Sequence, residues 1–293
     1  MFPFDIKQYV EANPDLVVRR ESRQYPGLFV IKYHRRVFYK NLWTPELCEL
    51  RGLVVDADYN VVARPFTKVF NRGENGTDFD VNQFVTAVTK INGFMAAATT
   101  TEQYGLLIST TGSLESDYVG IAAKYLRHTS IENSLLPGFT YLFEICDPSD
   151  PHIIDEQSGA YLIGGRELTT GEMLRERELD WVAERLHVLR PRHFTVRFGD
   201  LLNAMRTCQH EGYMVYSGKK ALKLKSPYYL ANKLMARMRD TKLDKWLDSG
   251  QIKQIVDEEY YPLVDHINDN REHFMTLDEQ ARLQYMKDFL HNV

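Results

Sequence analysis

The chain has 293 residues, 44 % of them hydrophobic and 26 % charged, a balance that fits one large or two ordinary globular domains and excludes a disordered polyelectrolyte. No run of about 18 apolar residues occurs, so no membrane-spanning helix is expected. The net charge of −4 excludes a globally basic nucleic-acid binder. The charge is uneven, however: residues 240–293 carry 6 Lys+Arg and 12 Asp+Glu, leaving 30 and 28 for the rest, so a polyanion is expected on the body and not on the acidic tail.

In chain order, FDIKQYVEAN predicts a short helix stopped near Pro14, and the alternation in LFVIKYHRRVFYK predicts a strand. ELRGLVVDADYNVVARPF reads as two strands joined at Asp58-Tyr59-Asn60. FVTAVTKI and YGLLIST are further strands, with FMAAATT between them. The spacing of Val119, Ala122, Ala123 and Leu126 predicts a helix in SDYVGIAAKYLRHT. TYLFEIC and AYLIGGRE follow as strands, then GEMLRERELDWVAERLHV and FGDLLNAMRTC as helices. EGYMVYS and KALKLKS predict a strand pair turning at Ser217-Gly218. After Pro227 the segments YYLANKLMARMRDTKLDKWLDSG, QIKQIVDEEYYPLVDHIN and TLDEQARLQYMKDFLH all have helical period. The expected organisation is therefore an α+β body over residues 1–228 and an all-helical segment over 229–293.

Cys48, Cys146 and Cys208 make neither a CxxC pair nor a disulfide framework, which fits a reducing cytoplasm. MFPFDIKQYVEANPD lacks the basic start and apolar core of a secretory signal. No phosphate loop of the GxxxxGK[ST] type, no GxGxxG after a strand and no metal-ligand spacing among the dispersed histidines is present. What stands out instead is charge inside apolar strands. In Ala221-Leu222-Lys223-Leu224-Lys225 the two lysines share one face and the two leucines the other. Lys223 and Lys225 alone would read as protection of an edge strand. Glu144 either faces solvent or lines a pocket, Glu211 alone is a strand-end acid, and Lys68 a solvated face. Arg51 precedes a glycine that admits close approach. Lys90, in Lys90-Ile91-Asn92-Gly93, alone is an exposed charge near a turn. Taken together these residues allow another reading. A nucleophilic lysine must shed its proton against a free pKa of about 10.4, and desolvation and neighbouring cations favour that. Such cations would also clamp a triphosphate.

The ordered set Lys90-Ile91-Asn92-Gly93, Phe143-Glu144, Glu211-Gly212-Tyr213-Met214-Val215 and Leu222-Lys223-Leu224-Lys225 resembles the covalent nucleotidyltransferases, the ATP-dependent ligases and capping enzymes. LRGLVVD, ARPFTKVFNRGE, FEICDPSDPHII and LKLKSPYYL are similar to segments of the phage RNA ligase 1 family. The resemblance spans about residues 30–230. It implies an adenylyltransferase fold of antiparallel sheets flanked by helices, followed by a small helical domain. It also implies ATP-dependent joining of RNA 5′-phosphate and 3′-hydroxyl ends, single-stranded or in a nicked loop. The enzyme would be a monomer without membrane association, acting in the cytoplasm (of the host cell if phage-encoded).

By this resemblance Lys90 takes AMP from ATP. Arg51 and Lys68 contact phosphates of ATP or its product, Phe70 helps shape the pocket, Arg72, Ile91 and Gly93 belong to the ATP site, and Tyr161 either stacks on adenine or is a core tyrosine. Glu144 meets the ribose or a metal-bound water, and Glu211 supports catalysis by Mg2+ or Mn2+. Lys223 and Lys225 hold the α-phosphate. Asn92 stands where the family carries an acid and could reach a metal only through water. Phe94 replaces a small hydroxyl residue, and Ser109–Ser113 lacks a basic residue usual there. The helical end of the chain disfavours a GTP-using capping enzyme, which would carry a β-barrel. The Asn92 exchange leaves a protein that adenylylates or binds RNA ends, without joining them, as the other reading.

Overall fold

The computed structural model describes residues 2–127, 129–132, 134–239, 256 and 260–292. Its strands are β1 (Val17–Glu21), β2 (Phe29–Tyr33), β3 (Arg51–Val55), β4 (Val61–Ala63), β5 (Phe84–Thr89) and β6 (Phe94–Thr101). They continue with β7 (Gly105–Ser109), β8 (Phe139–Cys146), β9 (Gly159–Glu167), β10 (His193–Arg197), β11 (Gly212–Ser217) and β12 (Lys220–Lys225). The sheets run β1-β2-β3-β4, β7-β6-β8-β9 and β10-β5-β11-β12, with antiparallel neighbours throughout.

The chain divides into two compact units. One comprises Met1–Val69, Asn92–His152 and Glu156–Pro191 and holds the first two sheets; the other comprises Phe70–Ile91, Ile153–Asp155 and Arg192–Val293 and holds the third. In the first unit, Ala96, Ala98, Tyr141, Phe143, Ile145 and Leu162 project from one face of β6, β8 and β9. They pack on the helices Asp117–Leu126 and Glu176–Leu186 through Val119, Ala122, Leu126, Leu179, Ala183 and Leu186. In the second unit, Val85, Ala87, Val215, Leu222 and Leu224 pack on Phe198, Leu201 and Met205 of the helix Phe198–Met205. The alternation read in KALKLK is therefore the one observed, with Leu222 and Leu224 buried and Lys223 and Lys225 half-buried.

Two segments differ from their sequence reading, and three elements had none. LFVIKYHRRVFYK is a strand only to Tyr33; His34 then caps the helix Arg35–Tyr39 by accepting the Arg36 N–H at its Nδ1, and Val37 alone turns inward. FMAAATT, left between two strands, is itself the inner strand β6, where alanines suit the tight packing under two helices. β1, β10 and the helix Pro45–Glu49 carried no recognised pattern. Past Pro227, the helices Pro227–Arg239, Tyr261–Asp269, Arg271–Thr276 and Glu279–Leu290 share a core that includes Leu234, Tyr260, Leu263, Ile267, Phe274 and Met286. Residues 240–255 and 257–259 of the predicted helices YYLANKLMARMRDTKLDKWLDSG and QIKQIVDEEYYPLVDHIN lie outside the described residues. No helix among the described residues is long and apolar enough to cross a membrane.

One long-range tie within the first unit carries a pH prediction. Glu115 accepts hydrogen bonds from Ser22 Oγ (2.6 Å) and from the Arg23 and Gln24 amides (3.0 and 3.1 Å). The Ser22 hydroxyl first, then these amides, hold its carboxyl down to about 2. A depressed acid contributes stability above its unfolded value of about 4.3 and loses it as pH falls toward the folded value. Glu115→Gln is therefore expected to flatten the acid limb of a stability-against-pH curve between about pH 4.3 and 2, read by thermal denaturation. An unchanged acid limb would contradict this.

Candidate active site

In the second unit, strand pairing sets the register of the charged residues. β5 lies beside β11 with Thr89 opposite Tyr213, and β11 beside β12 with Gly212 opposite Lys225. Just past the end of β5, the Lys90 amide donates to the Gly212 carbonyl at 2.9 Å. Lys90, Gly212 and Lys225 thus form one row across three strands, and side chains in one row share a face. The middle position has no room for a side chain: at φ +127°, a Cβ on Gly212 would lie 2.0 Å from the Leu224 carbonyl oxygen. Lys223 follows on the same face, opposite Met214.

The ammonium of Lys90 lies 3.0 Å from Glu211 Oε1, with the carboxylate side chain only 3 % exposed and the lysine 20 %. The sequence suggested that Lys90 would be governed by cations; its near partner is an anion. Glu211 is fixed from behind. Ser226, fully buried, donates its hydroxyl to the His210 carbonyl (2.5 Å) and its amide to the Glu211 carbonyl (2.9 Å), and its Oγ also accepts the Tyr229 amide. His210 Nδ1 accepts the Gly212 N–H at 3.1 Å, and burial pushes this imidazole below its ordinary value. Neither Ser226 nor His210 stood out in the sequence. The only signal was a serine directly before the proline that opens a helix, a capping position.

Phe70 and Arg72 run alongside Lys223: the Lys223 amide donates to the Phe70 carbonyl and the Arg72 amide to the Lys223 carbonyl, both at 2.9 Å. The Arg72 guanidinium itself is turned to Asp78, 3.1 Å away. Ile91 is buried.

The remaining predicted residues belong to the first unit, since the division falls after Ile91. Gly93 is needed for close approach rather than for a left-handed turn. Its φ is ordinary, but a Cβ there would lie 2.2 Å from the Ile145 carbonyl oxygen of β8. Its amide donates to Glu144 Oε1, and the Asn92 amide to Glu156 Oε1, each at 3.2 Å. Asn92 and Glu144 are buried. Met95, Glu144 and Tyr161 form a row across β6, β8 and β9, on the face opposite the helices. Arg51 reaches Met95, with Nη1 3.5 Å from Sδ. Tyr161 is buried, donates to the Gln157 carbonyl, and burial pushes its hydroxyl up to about 12. Lys68 Nζ lies 5.0 and 5.4 Å from the ring centres of Trp43 and Phe38, the geometry of a cation held by aromatic faces. The first unit thus gathers Arg51, Gly93, Glu144 and Tyr161, and the second Lys90, Glu211, Lys223 and Lys225.

A family model described as RNA ligase matches residues 49–229. Among solved structures, the chain is similar to an archaeal ATP-dependent RNA ligase in two forms. Form 2 gives a TM-score of 0.60 at 15 % identity, covering 97 % of this chain and 76 % of that one. Form 1 gives 0.58 at 14 % identity, covering 89 % and 75 %. A provisionally named ATP-dependent DNA ligase from Aquifex aeolicus gives 0.60 at 12 %, covering 96 % and 77 %. No curated protein sequence matches the chain. The structural likenesses establish the nucleotidyltransferase fold of ligases, mixed α and β with antiparallel sheets, and do not themselves separate RNA from DNA. The family match decides between them: it covers more than half of the chain, which belongs to the RNA ligase family and is an enzyme of it.

Proposed function

We propose that the protein joins RNA 5′-phosphate and 3′-hydroxyl ends with ATP, through AMP carried on Lys90 and then on the RNA 5′ end. The observation that carries this reading is the pairing of Lys90 with buried Glu211, in a row of side chains that also holds Lys225. In the first step Lys90 Nζ bonds to the α-phosphorus of ATP as the bond from that phosphorus to the bridging oxygen breaks and pyrophosphate leaves. The ammonium must lose its proton, and Glu211 Oε1 at 3.0 Å is within reach to receive it. Lys223 and Lys225, on the Lys90 face, supply positive charge for the phosphoryl oxygens. Next, an oxygen of the RNA 5′-phosphate displaces Lys90 from the α-phosphorus, and the lysine regains its proton. Finally the 3′-hydroxyl attacks the 5′-phosphorus, its proton is lost and AMP departs.

The residues fit a divalent cation held in the manner of Mg2+ or Mn2+. No cluster of three or more His, Cys, Asp or Glu gathers among the described residues. An ion of this kind needs only one or two carboxylates with waters and substrate phosphates, and Glu144 and Glu211 are buried carboxylates. Glu211 in one unit and Glu144 in the other are each suited to this role, with Asn92 acting through water. When bound, the ion neutralises phosphate charge. Arg51, Lys68 and Arg72 would contact phosphates; Phe70, Ile91, Gly93 and Tyr161 would shape the nucleotide site. We assign residues 1–228 to the adenylyltransferase domain and 229–293 to a helical domain, acting as a monomer in the cytoplasm. The shared core of the helices after Pro227 supports that division.

The test is incubation with ATP, Mg2+ and 5′-phosphorylated single-stranded RNA. Circles or joined products are expected, and their absence without any adenylylated RNA would overturn the reading. Asn92 brings no charge where the family carries an acid, so the last step is expected to lag and 5′-adenylylated RNA to accumulate. Asn92→Asp should lower that accumulation several-fold. Accumulation that is unchanged would remove Asn92 as the cause.

A further inference from the structure

β3 contains a bulge at Gly52. Ile31 pairs with Leu53 but Lys32 pairs with Arg51, so Gly52, at φ +86°, has no partner. A bulge re-aims the side chains beyond it. Without it Arg51 would share the face of buried Leu53; with it Arg51 stands beside Lys32. Two cations opposite one another across strands are unfavourable unless something anionic joins them. Among the described residues neither side chain has a carboxylate within ion-pair distance.

The turn after β7 completes the arrangement. The Thr110 amide donates to the Ser113 carbonyl at 2.9 Å, closing a turn with hydroxyl side chains at 110, 111 and 113. Gly52 lets this turn seat directly on β3: a Cβ at 52 would lie 2.7 Å from Thr111 Cα. Lys32 Nζ rests against Gly112, 3.2 Å from where a Cβ would stand. The nearby acid Glu115 is committed to the Ser22–Gln24 turn. Ser109–Ser113 has no basic residue of its own, and Lys32 brings one to it from β2.

We propose that Lys32, with Arg51 and the Thr110–Ser113 turn, forms a phosphate subsite of the ligase, which makes Lys32 a substrate-binding residue. This rests on the RNA ligase reading for its substrate. The shared chemistry is a terminal phosphate group, arriving either as the pyrophosphate part of ATP or as the 5′-phosphate of RNA.

The experiment compares the full-length wild type with Lys32→Ala and Lys32→Arg. One arm measures protein–AMP formation against ATP concentration. A second measures transfer of AMP from preformed protein–AMP to 5′-phosphorylated RNA. A third, independent of turnover, measures binding of pyrophosphate and the preference for 5′-phosphorylated over 5′-hydroxyl RNA. Losing one charge-assisted contact is expected to weaken half-saturation about tenfold in Lys32→Ala, with most of it restored in Lys32→Arg. If ATP is the source, the first arm and pyrophosphate binding change and transfer does not; if RNA is the source, transfer and end preference change instead. Wild-type values for Lys32→Ala in all arms would overturn the subsite. If the wild type forms no protein–AMP, the ligase reading fails, and the third arm alone judges the subsite: loss in Lys32→Ala sustains it and equality overturns it.

Discussion

Lys90→Ala is expected to abolish covalent labelling by α-labelled ATP, a loss of at least about a thousandfold, because the bond to AMP has no other atom to form on. Lys90→Arg is expected to fail as completely, since a guanidinium keeps its proton and offers no lone pair. Glu211→Gln separates chemistry from architecture. It retains a hydrogen-bond acceptor beside Lys90 Nζ but cannot take a proton as a carboxylate does, while the Ser226 contacts end on the main-chain carbonyls of His210 and Glu211 and not on the Glu211 side chain, and so remain. Labelling should slow by roughly 10²–10⁴-fold with little change in melting temperature. A Lys90→Ala protein that still labels would place the nucleophile elsewhere.

Gly93→Ala is expected to have the second large effect, on stability as well as activity. The new Cβ would meet the Ile145 carbonyl oxygen at 2.2 Å and Cys146 Sγ at 3.0 Å, and the first is backbone in the middle of a sheet. One strand must move, and the Gly93 amide would be drawn from Glu144. Overpacking of this kind costs about 2–3 kcal/mol, or roughly 5 °C or more in melting temperature for a chain of this size. Gly120→Ala is the control. It lies exposed in a helix with nothing within 4 Å of an added Cβ, and alanine there should be neutral or stabilise by about 0.5–1 kcal/mol. Equal melting temperatures for the Gly93 and Gly120 variants would refute the packing argument.

How much of this was legible in the sequence follows from which contacts are local. The period of two in KALKLK placed Leu222 and Leu224 inward because each strand residue reports its own face. The turn at Asp58-Tyr59-Asn60 was legible because it needs particular residues; Tyr59 indeed has φ +65°. HRRVFYK misled because its alternating apolar residues fit a strand as well as one turn of helix, and the His34 cap decided it. Alanine-rich β6 misled because alanine has little strand preference, and only the helices packed on it explain its presence. In the site, motif order singled out Lys90 and Glu211 but gave no geometry. That Glu211 is an ion-pair partner, and that Ser226 and His210 fix it, depends on contacts between distant parts of the chain. Lys32 was invisible because its importance comes from a bulge at another residue, Gly52, which shifts the register by one.

The most direct test of the central claim is to incubate the wild-type chain with α-labelled ATP and Mg2+, with GTP in parallel, and to map the labelled peptide. An acid-labile AMP adduct is expected from ATP alone, on the peptide containing Lys90. Absence of any adduct, an adduct formed only with GTP, or one on a different residue would contradict it.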